Sequence, residues 1–118
     1  MPQATITHLV IAPKERIAEL LRSCLATGGW RIELINEELC ELTAHLNRSE
    51  RISGVQWTYE YSCVASWEPA TEGIEVNIKI DENKNQWTLE NCKTKAKELM
   101  QGVVDKAAKL SRLENTRP

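Results

Sequence analysis

The stretch VQWTYEYSCVASW, residues 55–67, alternates with a period of two. Val55, Trp57, Tyr59, Tyr61, Cys63, Ala65 and Trp67 fall in one phase, and Gln56, Thr58, Glu60, Ser62 and Ser66 in the other. Successive side chains of a strand point to opposite faces, so this strand is built to bury one face and leave the other in water. An antiparallel sheet is the setting that tolerates this.

Downstream, Glu68 to Gly73 holds Pro69 and Gly73 and reads as a hairpin turn. The next strand follows, with Ile74, Val76, Ile78 and Ile80 set against Glu75, Asn77 and Lys79. Upstream, Asn47 to Gly54 reads as a polar connection. Before it, Trp30, Ile32 and Leu34 alternate with Arg31 and Glu33, and Cys40, Leu42, Ala44 and Leu46 alternate with Glu41, Thr43 and His45, on either side of a turn at Asn36 to Glu38. Glu and Leu are good helix formers, which makes a helix over residues 33–46 the competing reading, but the alternation and the aromatic entry favour two strands.

Helical spacing takes over at both ends. Ile17, Leu20, Leu21, Cys24 and Leu25 recur every three or four residues across Lys14 to Thr27, after Pro13 and before Gly28 and Gly29, which supply a left-handed C-cap. Thr5 to Ile11 is β-branched and apolar, a short strand. Thr88 is the expected N-cap of a final helix that carries Cys92, Ala96, Leu99, Val103, Ala107 and Leu110 on one stripe, runs to about Arg112 and frays over 113–118.

The order β-α-β-β-β-β-α predicts one α+β domain over 1–118, with two layers: an antiparallel sheet of four or five strands and two helices on one face. In element order it is similar to the helix-grip arrangement of small START-like and plant-allergen-like domains. That resemblance implies a fold and assigns no catalytic residue. A ferredoxin-like arrangement is the alternative.

Composition excludes several functions. The chain is 42% apolar and 27% charged, with no apolar run of about 18 residues and no signal-peptide order at its start, so a cytoplasmic protein with no membrane span is expected. Cys24, Cys40, Cys63 and Cys92 lie far apart and in phase with apolar neighbours, which predicts buried thiols and no metal site. The glycines form no phosphate-binding loop, and no cofactor is expected. Residues 1–92 hold 8 basic and 14 acidic side chains, a balance of −6, whereas residues 93–118 hold 7 and 3, a balance of +4. The final helix's cations spread around its polar arc, interrupted by Glu98 and Asp105, which reads as a solvated face and not as a nucleic-acid clamp.

No catalytic constellation is visible. His8 and His45 could act as bases only if paired with a nucleophile across the sheet, and Glu33, Glu41, Glu60 and Glu75 read as a solvated sheet face. The expected function is therefore a non-enzymatic module that binds a protein partner or associates with itself as a homodimer. The alternative is a carrier or sensor of a small hydrophobic ligand held between the sheet and the last helix. Its candidate contacts are Trp57, Tyr59, Tyr61 and Trp67, whose rings bring apolar bulk with a polar handle.

Overall fold

A computed structural model describes residues 3–82 and 89–115, without the side chains of residues 48, 50, 52, 57, 89–91, 111 and 113–115. The elements are β1 (Gln3–Val10), α1 (Lys14–Thr27), β2 (Arg31–Asn36), β3 (Glu41–Ile52), β4 (Val55–Ala70), β5 (Gly73–Glu82) and α2 (Leu89–Asn115). The five strands form one antiparallel sheet in the order β1-β5-β4-β3-β2. Strands β2 to β5 follow one another as a meander, and β1 closes the far edge beside β5. That order excludes the ferredoxin-like alternative. With α1 and α2 both packed on the inner face, the architecture is the helix-grip-like one read from the sequence.

The inner face is the apolar phase of each strand. Leu42, Ala44, Tyr61, Cys63, Ala65, Trp67, Ile74, Val76, Ile78 and Ile80 are buried there, under Ile17, Leu21 and Leu25 of α1 and Cys92, Ala96, Leu99, Met100, Val103 and Ala107 of α2. At roughly 25 cal/mol per Å2 of apolar surface, this shared core is what holds the two helices to the sheet. Helix α1 has Pro13 at its N-cap, one place earlier than the first-turn position expected, and no side-chain cap.

Several boundaries differ from the sequence reading, β1 among them, which starts at Gln3 and ends at Val10. Residues 47–52 are strand, not connection: β3 pairs with β4 out to Ile52 and Val55, and Ser53 and Gly54 alone make the turn, with φ of 53° and 80°. Both signs are positive, as in the two-residue hairpin turns whose twist matches that of the strands. Among the described residues β5 joins β4 only from Tyr61 onward, so the far half of this hairpin is there two-stranded, and the molecule is 58 Å long. At the other end β4 continues through Pro69, and only Thr71 and Glu72 form the turn. The Trp67 N–H donates toward β3, to the Cys40 carbonyl, so Pro69 two residues on lacks its donor on a side where β3 has already ended. Helix α2 extends to Asn115, past the expected fraying point, while the Thr88 cap lies outside the described residues.

Strand β2 contains a bulge. Its register against β3 slips between Ile32 and Leu34, so Glu33 is the extra residue. Beyond it Ile35, not Leu34, packs on the core, and Leu34 is turned out to 61% exposure. Cys40, expected within a strand, instead ends the β2–β3 turn at φ 54°. On the outer face, Glu68, expected in the turn, lies in β4 directly opposite Glu75.

Candidate functional site

Gly28 and Gly29 do more than stop α1. The Gly29 N–H donates to Ala26 O at 3.1 Å, the Trp30 N–H donates to Leu25 O at 2.9 Å, and Gly29 has φ 83°. These paired bonds are the Schellman arrangement. They reverse the chain so that Trp30 leaves the helix facing the inner side of the sheet, where its ring lies 6.5 Å from that of Tyr61.

Trp30 is one wall of a cleft of about 660 Å3 between the end of α1, the middle of α2, the entry to β2 and the middle of β3. Its apolar lining comes from Trp30, Leu46, Leu99 and Cys24, and its rim carries Lys95, Glu98 and Lys106. Gly102 lets the two helices approach: a Cβ there would lie 3.3 Å from Cys24 Sγ. Lys106 donates to Ser23 Oγ across the helices, and Lys95 Nζ sits 4.8 Å above the Tyr61 ring, a cation–π contact.

The four sequence candidates do not gather round one cavity. Tyr61 is buried behind the cleft and stacks on Tyr59 at 6.5 Å. Trp67 is buried at the opposite end of the sheet, beside Lys14, Glu15 and Ala18. The Trp57 side chain lies outside the described residues. Trp30, Leu46 and the α2 rim were not among the candidates, although Trp30 stands directly after the glycine pair that aims it.

Behind Tyr61, in the same cross-strand row, Glu82 is fully buried and neither carboxylate oxygen has a hydrogen-bond partner among the described residues. It lies near enough to Cys92 to help burial push that thiol up to about 11. All four cysteines are free and buried, as expected. Burial pushes Cys63 up to about 12 and also raises Cys24, with Lys106 lowering it in part. A thiol so held is no nucleophile at neutral pH.

These thiols predict an alkaline limit. They stay protonated in the folded chain where the unfolded chain, with thiols near 9.0, has lost its protons. Unfolding then releases protons, so what these thiols contribute to stability is constant below pH 9 and falls from pH 9 toward 11 and 12. Urea midpoints for the wild type and Cys63→Ala should show a shallower alkaline decline in the variant; parallel declines would contradict this.

No family profile and no curated protein matches the sequence. Solved structures do. The chain is similar to a protein from Mesorhizobium loti at a TM-score of 0.65 and 7% identity, over 98% of this chain and 99% of that one. A protein from Nitrosospira multiformis gives 0.63 and 13%, over 94% and 99%. The vertebrate conserved region of human METTL16 gives 0.51 and 13%, over 85% and 98%. The likeness is one of fold. Among the described residues, no helix is long and apolar enough to cross a membrane, and no group of three or more His, Cys, Asp or Glu is placed to hold a metal.

Proposed function

We propose that the protein binds a small, largely hydrophobic molecule with a polar end, its body on Trp30, Leu46 and Leu99 and its polar end at the α2 rim. The observation that carries this is the cleft: about 660 Å3 lies within the range of small-molecule sites, with an apolar lining and a few polar groups at one side. The fold supports it as well, since the cleft lies where a sheet and its gripping helix part. Binding here is non-enzymatic, a carrier's or sensor's role.

Titration with dodecanoate or decanol, followed by tryptophan fluorescence, tests the proposal. Saturable shifts are expected, and Trp30→Ala should weaken binding by tenfold or more, since losing an aromatic wall that the ligand covers costs about 1.5–3 kcal/mol. No response to any of a broad set of apolar probes would sink it.

A second reading, association through a protein surface, rests on the β2 edge. The bulge leaves Leu34 61% exposed, and Leu39 at the adjoining turn is 67% exposed, beside a strand that among the described residues is the sheet's edge. Self-pairing there makes a homodimer. Light scattering at high concentration should then show a dimer that Leu34→Lys dissociates; a monomer throughout would exclude it.

A further inference from the structure

The outer face of the sheet carries an arrangement unrelated to the cleft. His45 on β3 and Ser62 on β4 are direct cross-strand partners, and Ser62 Oγ lies 3.2 Å from His45 Nδ1. On the other side of the ring, His45 Nε2 lies 2.9 Å from Glu33 Oε2. A carboxylate only accepts, so Glu33 fixes the ring proton on Nε2. In the neutral ring Nδ1 is then the acceptor, and the Ser62 hydroxyl donates to it. Nucleophile, base and orienting acid thus stand in sequence within hydrogen-bond reach. Glu33 is the residue inserted by the β2 bulge, a device that re-aims side chains.

We infer that Ser62, His45 and Glu33 form an acyl-transfer site for small aryl esters. Ser62 Oγ attacks the ester carbonyl carbon as its proton passes to His45 Nδ1. The bond from carbonyl carbon to phenolic oxygen breaks, and the phenolate takes that proton. Water then attacks the acyl-serine and gives a proton to Nδ1, which returns it to Ser62 Oγ as the carboxylic acid leaves. Ser62 and His45 are the catalytic residues; Glu33 is a positioning residue.

The surroundings define the substrate class. Ser62 is paired on both sides, with β3 and with β5, so its neighbouring backbone N–H groups are committed to the sheet and offer no oxyanion hole. Base assistance alone contributes about 10²–10⁴-fold, which favours esters whose leaving group is already good. Asp81 is the β5 partner of Ser62 on the same face and disfavours anionic acyl groups, while Arg31 faces His45 from β2. With a charge of each sign beside the site, neutral acyl groups fit.

A fluorophosphonate probe followed by peptide mapping tests the site. Phosphonylation is expected at Ser62, absent in Ser62→Ala and at least tenfold slower in His45→Ala. With p-nitrophenyl acetate, Glu33→Gln should lower kcat several-fold and leave KM unchanged; Glu33 is at an exposed edge, so the fold is not at risk. Labelling that persists in Ser62→Ala, or that is as fast in His45→Ala as in the wild type, would overturn the assignment. So would an unchanged kcat in Glu33→Gln.

Discussion

Glu82→Met should raise the stability of the protein by about 1–3 kcal/mol, because burying a carboxylate without partners carries a desolvation cost that an apolar group of similar volume does not. Glu82 is fully buried, lies at the end of β5 in the row of Leu46 and Tyr61, and has no hydrogen-bond partner among the described residues. Methionine fills a similar volume with a flexible apolar chain. For a chain of 118 residues the gain corresponds to a melting temperature higher by about 4–12 °C. Calorimetry of the two proteins at pH 7 measures it. A variant less stable than the wild type would mean that Glu82 has a partner in solution.

The second large effect has the opposite sign. Tyr61→Ala should cost about 3–5 kcal/mol, the range for removing a buried aromatic ring. Tyr61 is 2% exposed, with Trp30 on one side, Tyr59 on the other and the Lys95 ammonium above. The void could not close readily, since strands β3 and β5 pair on both sides of this residue. Tyr61→Phe keeps the ring and should cost far less. Denaturant midpoints for the three proteins decide the matter, and equal losses for the alanine and phenylalanine variants would show that the hydroxyl, not the packing, matters.

What the sequence made legible was everything with a sustained period. The alternation of residues 55–67 and 74–80 and the stripes of both helices set the layers, the sheet and the face on which the helices lie. Illegible were features that depend on two segments meeting. The bulge at Glu33 exists only in register with β3, so Leu34 was read as buried by simple alternation. The polar stretch 47–52 lacked an apolar phase, and among the described residues it belongs to an arm that pairs only with the start of β4. The Ser62–His45 pair required cross-strand register, although the need for a nucleophile opposite His45 could be stated beforehand.

The cleft was legible only in outline. Its position between sheet and last helix followed from the fold, but the rings named for it came from β4 alone. Trp67 lies at the far end and Tyr61 behind the wall, while Trp30 reaches the cleft through two backbone hydrogen bonds at the end of α1. A glycine pair followed at once by a large aromatic was the available signal.

The most direct test is a two-dimensional amide NMR titration of the full chain with dodecanoate. Binding in the cleft predicts saturable shifts concentrated at Gly28, Gly29, Trp30, Leu46, Leu99 and Gly102, with little change on the outer face of the sheet. Shifts confined to that outer face or to the β2 edge, or no shifts at all, would contradict the account.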